Sequence, residues 1–157
     1  VLVYMAIYLA MNLTAFAAIL CMKRDGKMVE TIADLAGLAR TQPMVAAALA
    51  IAMFSMAGIP PLAGFFGKLY VFLAAVSAGL YALAVIGVLA SVVSAFYYLR
   101  IVKIMYFDAA GAGFDKRLET GPAAILGAGA VFTLLFFAWP APLVGAAGIA
   151  AAALFGG

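Results

Sequence analysis

Long apolar stretches alternate along this chain with short segments that carry most of the charges. A membrane-spanning helix needs about 20 apolar residues, and by that criterion the pattern predicts about four spanning elements. They cover residues 1–22, 43–79, 80–107 and 123–139. We therefore expect an all-α fold, a polytopic transmembrane helix bundle that forms a single domain over residues 1–157.

The second element is too long to be one straight helix. At about 1.5 Å per residue, residues 43–79 would extend roughly 55 Å, whereas the hydrocarbon core is about 30 Å thick. The sequence GIPP, Gly58–Pro61, is the predicted interruption, because Pro60 and Pro61 lack the N–H that a helix needs. The run on each side is slightly short of a full span, which suits a broken helix whose halves meet near mid-membrane.

Two other segments have patterns unlike a span. The sequence KRDGK, residues 23–27, predicts the end of the first helix. Residues 28–42 then keep apolar side chains at Ile32, Leu35 and Leu38, the pattern of a short interfacial helix. The tail, residues 141–157, is rich in small residues and fits either a frayed extension of the last span or an interfacial segment.

The composition supports a membrane protein and excludes several classes of function. The 157 residues are 69% hydrophobic and 10% charged, too few polar side chains to cover a water-soluble globule. One cysteine and no histidine exclude an internal disulfide, a cysteine-built iron–sulfur site, haem ligands and the usual zinc ligands. We therefore expect no metal site, cofactor or redox centre in this chain, and no nucleic-acid partner.

The basic residues predict the orientation in the membrane. All but one lie in two loops, residues 23–42 and 100–121, which face the same side if each element crosses once. By the positive-inside rule that side is the cytoplasm. The loop residues are Lys23, Arg24, Lys27, Arg40, Arg100, Lys103, Lys116 and Arg117.

Lys68 is the exception to this pattern. Between Thr41 and Leu99 it is the only side chain that could be charged at neutral pH. A lysine at mid-membrane costs about 2.5 to 3.5 kcal/mol on insertion scales, so it is a candidate functional group. A carboxylate that moved toward the Lys68 amine would favour binding of a proton by the amine, and one that moved away would favour its release. The alternative is a lysine whose stem reaches back to the headgroups.

Several residues near the break could support such a site. Gly58, Pro60 and Pro61 would leave backbone groups that order water. Gly64 and Gly67 leave room either for water or for a close helix neighbour. Arg100 and Lys103 are most simply interfacial anchors together with Tyr97 and Tyr98, although Lys103 could also serve proton entry. The remaining polar residues of the spans fit interhelical hydrogen bonds or a water path: Asn12, Thr14, Ser55, Ser91 and Ser94.

The sequence SMAGIPPLAGFFGKLYVF closely resembles the broken twelfth helix of the antiporter-like subunits of respiratory complex I, the proton-pumping NADH:quinone oxidoreductase. The flanking sequences agree in order: YMAIYLAMNLTAFAAIL is similar to the preceding helix, DLAGLAR to the connecting loop and SAFYYLRIVKIMYF to the thirteenth helix. The resemblance is strongest to subunit N, since subunit M carries glutamate at the position of Lys68 and subunit L continues into a long lateral helix.

The resemblance implies a proton half-channel in which Lys68 exchanges protons with the side opposite the cytoplasm. It also implies a bacterial inner membrane, with subunit M, small membrane subunits and the lipid bilayer as partners. NADH, FMN, iron–sulfur clusters and quinone are then expected in partner subunits. The family's glutamate and lysines on its fifth, seventh and eighth helices have no counterpart in this sequence, so we expect the C-terminal part of a fourteen-helix polypeptide.

Two other functions remain open at this point. The chain could be a subunit of a multi-subunit cation/proton antiporter, or a structural membrane subunit in which Lys68 is an ion-pair partner. The loop DLAGLAR and the short sequence after Trp139 favour the complex I subunit.

Overall fold

The computed structural model describes residues 1–24, 26–28, 31–111, 113–115 and 120–155. The basic residues Lys116 and Arg117 of the second loop lie outside the described residues. The described elements, in chain order, are α1 Leu2–Cys21, β1 Lys23–Arg24, β2 Lys27–Met28, a 3-10 turn Ile32–Leu35, α2 Leu38–Thr41, α3 Pro43–Ala57, α4 Ala63–Ser77, α5 Tyr81–Phe107, α6 Thr120–Leu135 and α7 Ala141–Phe155. The fold is mostly helical, as the sequence predicted.

Two of the described helices, α1 and α5, are long and apolar enough to cross a membrane by themselves. Helices α3, α4, α6 and α7 are also apolar but shorter, with 15 or 16 residues each. At about 1.5 Å per residue a helix of that length reaches roughly 23 Å, less than the hydrocarbon core of about 30 Å. The long helices are therefore the clearest spans in the described part of the chain.

Helix α3 lies at the centre of the bundle, where it packs on α1, α5 and α6 and meets α4 at its C-terminal end. Its buried side chains are small or flexible, with Ala46 and Ala52 fully buried and Met53 and Met56 filling the gaps between helices. Alanine lets helices approach closely, which favours van der Waals packing where lipid removes the hydrophobic driving force. This packing positions the C-terminal end of α3 against α1.

The segment predicted as one interfacial helix is instead irregular. Lys23–Arg24 pairs antiparallel with Lys27–Met28 in a small hairpin, and Gly37 then separates a 3-10 turn from α2. Gly37 has a φ of 69° and donates its N–H to the Ile104 carbonyl of α5 at 3.3 Å. A side chain at this position would overlap Ala110. The helix pattern is therefore broken by a close approach to α5. Of the predicted apolar face, Leu35 and Leu38 are buried, whereas Ile32 is exposed.

The two basic loops meet at one end of the bundle. Asp115 donates its N–H to the Lys23 carbonyl at 2.8 Å, and its carboxylate accepts the Gly26 N–H at 3.0 Å. Arg24 forms an ion pair with Asp34 at 3.1 Å and lies 5.3 Å from the centre of the Phe114 ring. The hydrogen bond from the Thr31 hydroxyl, followed by the bond and charge of Arg24, lowers the pKa of the Asp34 carboxyl below its usual 3.8.

The C-terminal region differs from the prediction in its bounds. Helix α6 begins before residue 123 and ends at Leu135, and the N–H groups of Ala138 and Trp139 share the Leu135 carbonyl in the turn that follows. The tail, for which the sequence left two alternatives, contains the helix α7, which packs on α1. Pro142 lies in the first turn of α7, where its missing N–H removes no helical hydrogen bond.

Candidate functional site

The C-terminal end of α3 is closed by a glycine in a left-handed conformation. Gly58 has a φ of 90°, and its N–H contacts the carbonyls of Phe54 at 3.2 Å and Ser55 at 2.9 Å. The N–H of Ile59 bonds the Phe54 carbonyl at 3.1 Å. A glycine in this conformation ends a helix while it pairs the last carbonyls. The helix therefore stops at Ala57, three residues before Pro60, and the carbonyls of Phe54 and Ser55 near its end are paired.

Helix α4 begins without a polar side chain of its own at the start. Pro60 and Pro61 follow Ile59 and are joined by a cis peptide bond. The residue that precedes the helix is Leu62, whose hydrocarbon side chain cannot accept a hydrogen bond. The N–H of Gly64, in the first turn, is instead bonded by the Ser55 hydroxyl of α3 at 2.8 Å. The two half-helices are thus joined by a side chain across the interruption.

Lys68 lies one turn beyond Gly64, and its ammonium turns back toward α3. The Nζ atom donates a hydrogen bond to the Ala57 carbonyl, the last residue of α3, at 3.3 Å. A side chain at Gly58 would lie 3.2 Å from Cδ of Lys68, so the lysine stem passes directly over this glycine. The C-terminal end of a helix carries partial negative charge and favours a cation. The break therefore supplies Lys68 with an electrostatic partner.

A cavity of about 270 Å³ adjoins Lys68. Tyr4 and Tyr8 line it from α1, where their rings stack with centres 5.8 Å apart. Ser91, Ser94 and Tyr98 line it from α5 at the i, i+3, i+7 spacing of one helix face. Met11, Met56, Gly64 and Ala90 complete the lining. A roomy cavity with several hydroxyl groups is able to hold ordered water beside the lysine.

The structure places the other predicted site residues as follows. Gly64 faces the Ser55 carbonyl so closely that a side chain there would overlap it, and a side chain at Gly67 would lie 3.3 Å from the Tyr4 ring. Both glycines therefore lie in close helix contacts, and Gly64 also lines the cavity beside Lys68. Lys103 forms an ion pair with Asp108 near the end of α5, with a side chain that is 63% exposed. It does not line the cavity that holds Lys68.

Sequence analysis missed part of this site. It treated Tyr98 as an interfacial anchor and assigned no role to Tyr4 and Tyr8, which all line the cavity. The i, i+4, i+7 spacing of Tyr4, Tyr8 and Met11 was a signal that these residues share a face of α1. Among the residues that the structure describes, we find no group of three or more metal-ligating side chains.

Comparison with known proteins identifies the family. Residues 1–94 match the family described as NADH:quinone oxidoreductase/Mrp antiporter, TM. The chain belongs to this family. The matched residues include α1, α3, the interruption, α4 with Lys68, and the part of α5 that carries Ser91 and Ser94.

Curated relatives of this antiporter family are similar over nearly the whole chain. NADH-quinone oxidoreductase subunit N of Parvibaculum lavamentivorans is 62% identical over 154 residues, which are 98% of this chain and 32% of the relative. The subunit of the same name in Methylobacterium nodulans is 62% identical over 155 residues, 99% of this chain and 32% of the relative. The chain therefore spans about a third of the length of these relatives, and the predicted resemblance to subunit N is confirmed.

A solved structure has the same fold. A chain of respiratory complex I from Thermus thermophilus, with bound aureothin, superposes with a TM-score of 0.74 at 31% sequence identity. The superposition covers 88% of this chain and 31% of that chain. The antiporter-like helical fold is therefore shown by structure as well as by sequence.

Proposed function

We propose that this chain is the C-terminal third of a subunit N of NADH:quinone oxidoreductase and contributes a proton-transferring lysine to it. The relatives at 62% identity carry that name, and they support this assignment over a cation/proton antiporter. The observation that carries the proposed role is the position of Lys68, on a broken helix, between a helix end and a polar cavity.

The local chemistry supports a titrating role for Lys68. The Ala57 carbonyl accepts one hydrogen bond from the amine, while the hydroxyl-lined cavity offers a place for water on another side. Water in that cavity would connect the amine to a proton donor or acceptor farther away. Lys68 would be the group that holds the proton, and the interruption would supply the negative helix end that stabilises its charged state. Gly58, Pro60 and Pro61 shape the interruption.

The remaining parts of the proposal concern the assembly. We place the protein in a bacterial inner membrane, with the loops 23–42 and 100–121 on the cytoplasmic side. Its partners would be subunit M, small membrane subunits of complex I and the surrounding lipid. NADH, FMN, iron–sulfur clusters and quinone would be bound by other subunits, and their redox reaction would reach Lys68 as an electrostatic or conformational change. The enzyme class is a translocase, in which this chain has a non-redox role.

The test is NADH-driven proton pumping in membrane vesicles that contain the full-length parent subunit in assembled complex. We compare Lys68→Met, which removes the amine, with Lys68→Arg, which keeps a charge that is effectively never released. Because a positioned proton-transfer group typically contributes about 10²- to 10⁴-fold, we expect coupled turnover to fall by about tenfold or more in both variants.

The two variants and the parent together separate three functions. If Lys68→Met pumps normally at matched assembly, Lys68 carries no proton and the proposal is wrong. If Lys68→Met fails but Lys68→Arg pumps normally, the residue is a structural cation. If the parent sustains sodium transport without NADH or quinone, the chain belongs to an antiporter.

A further inference from the structure

Ser55 is a buried residue of α3 that contacts both α1 and α4, and sequence analysis grouped it with the polar residues that fit interhelical hydrogen bonds or a water path. It lies near the end of α3 and has no solvent-exposed surface. Its hydroxyl accepts the N–H of Gly64 on α4 at 2.8 Å and donates to the sulfur of Met11 on α1 at 2.9 Å. Its carbonyl accepts the N–H of Gly58 at 2.9 Å. One residue therefore pairs with both sides of the interruption.

The hydrogen bond to Gly64 satisfies a need that the local sequence cannot meet. The first turn of a helix has N–H groups without intrahelical partners. The residue just before the helix commonly accepts one of them through a side-chain oxygen. Leu62 occupies that position in α4 and cannot do so. A backbone N–H that is buried between helices without a partner is costly, because bulk water cannot pair with it there. Ser55 acts as a helix cap supplied from another helix.

Other buried or cavity-lining hydroxyl groups behave differently. Thr14 donates to the Ala10 carbonyl at 2.8 Å, and Ser94 donates to the Ala90 carbonyl at 2.9 Å. Both bonds stay within one helix, four residues back, and add nothing to the contact between helices. The cross-helix geometry of Ser55 is therefore specific to the break.

The position of Ser55 connects this cap to Lys68. Ala57 is two residues after Ser55, and its carbonyl accepts the Lys68 hydrogen bond. Lys68 is four residues after Gly64, one turn along α4. The bond between Ser55 and Gly64 thus lies one turn or less from each end of the bond between Ala57 and Lys68. A shift of α4 against α3 at the first bond would move the second.

We propose that Ser55 is a positioning residue: its hydroxyl caps α4 from across the break and thereby holds the Lys68 ammonium on the Ala57 carbonyl. The proposal rests on the proposed role of Lys68 for its functional consequence, but the geometric part stands without it. Gly64 is required in the same arrangement, since a side chain there would overlap the Ser55 carbonyl.

The experiment uses assembled complex with the full-length subunit carrying Ser55→Ala, Ser55→Thr or Ser55→Cys. Thr133→Val is the matched control, since Thr133 is fully buried and its hydroxyl has no partner among the described residues. The first readout is the distance from Lys68 Nζ to the Ala57 oxygen in a cryo-EM structure of each variant. The second is the number of protons pumped per NADH oxidised.

For Ser55→Ala we expect the 3.3 Å hydrogen bond of Lys68 to be lost and protons per NADH to fall by about twofold or more. Ser55→Thr keeps a hydroxyl and should retain most of both, while Thr133→Val should match the parent. If Ser55→Ala fails to assemble, Ser55→Cys decides, because a thiol is a weaker acceptor of similar shape and should give an intermediate distance and ratio.

The positioning role is contradicted if Ser55→Ala, or Ser55→Cys in its place, keeps Lys68 on Ala57 with parental coupling. It is also contradicted if Ser55→Thr loses as much as Ser55→Ala, since the hydroxyl would then not be the relevant group. Suppose that the Lys68–Ala57 bond lengthens in Ser55→Ala while Lys68→Met pumps normally. The positioning role of Ser55 would then stand, and only the proton-transfer role of Lys68 would be refuted.

Discussion

The broken helix α3–α4 and the continuous helix α5 cross the same bundle in different ways. Helix α5 has 27 residues, enough for a full span, and nearly all of its polar backbone groups pair within the helix. Helices α3 and α4 have 15 residues each and end beside one another. The break leaves helix-end groups without intrahelical partners: Ser55 pairs with the N–H of Gly64, and Lys68 pairs with the carbonyl of Ala57. A continuous helix needs no such side chains.

The polar residues of the two regions show the consequence. Ser94 on α5 donates to its own helix, whereas Ser55 joins α3 to α4. Lys103 on α5 pairs with the neighbouring Asp108, whereas Lys68 pairs with a helix end. The serine and the lysine of α5 therefore pair within their own helix or just beyond its end, whereas Ser55 and Lys68 pair across the break. The two regions differ because helix-end backbone groups at the break need partners, and side chains from the other half-helix supply them.

The largest structural effect should come from adding a methyl group at the break. In Gly64→Ala the new Cβ would overlap the Ser55 carbonyl, a backbone group that cannot turn away. We expect a loss of about 1 to 3 kcal/mol or more, because overpacking at a rigid contact forces a backbone shift. The measurement is the amount of subunit assembled into complex I and the thermal inactivation of that complex.

The matched control is Gly87→Ala in the continuous helix α5. Its Cβ would lie 2.8 Å from the edge of the Phe72 ring, the far end of a side chain that is able to rotate. Alanine also favours a helix over glycine by about 0.5 to 1 kcal/mol. We expect Gly87→Ala to assemble like the parent. Equal losses at Gly64 and Gly87 would show that the break is no more tightly constrained than α5.

An intermediate effect should distinguish the two turns that bound α4. Gly58 and Gly79 both have positive φ angles, 90° and 75°, so alanine at either costs about 1 to 2 kcal/mol of backbone strain. Only at Gly58 would the new Cβ also press on Lys68, at 3.2 Å from Cδ, since Gly79 has open space. We expect both variants to lose thermal stability but Gly58→Ala alone to lose proton pumping at matched assembly. Equal pumping would argue against contact between Gly58 and Lys68.

The smallest effect should come from the loop end of the bundle, outside both regions. The pKa of Asp34 is lowered, chiefly by Thr31, so its carboxylate contributes stability that is present at neutral pH and is lost as the pH falls through a value below 3.8. Asp34→Asn should therefore lower the thermal midpoint slightly at pH 7. This difference should shrink as the sample is acidified below pH 3.8 and should leave proton pumping unchanged. A difference that grows with acidification would contradict the assignment.

The sequence predicted what depends on local chemistry. Pro60 and Pro61 cannot belong to a helix interior, so the interruption is encoded where it occurs, and α3 ends at Ala57. The mostly helical fold was likewise predicted from the long apolar runs of the sequence. The isolated charge at Lys68 identified a candidate site without any structure.

The parts that could not be predicted depend on contacts between distant residues. Gly37 breaks the expected interfacial helix because it lies against α5, 67 residues later at Ile104. Ser55 and Gly64 meet only because the loop between them folds back. The cavity beside Lys68 is lined by residues of α1 and α5. The local sequence pattern of each helix does not determine which of its faces contacts the other helix. The tail that contains α7 was left with two alternatives, because its small residues give no clear periodicity.

The most direct test of the central claim is the number of protons pumped per NADH oxidised in vesicles with Lys68→Met, measured beside Lys103→Met. Both variants remove one lysine from the same subunit, one at the break and one at the exposed end of α5. The account predicts loss of pumping, at matched assembly, for Lys68→Met and parental pumping for Lys103→Met. Parental pumping in Lys68→Met, or equal losses in both variants, would contradict a specific proton-transfer role for the lysine at the broken helix.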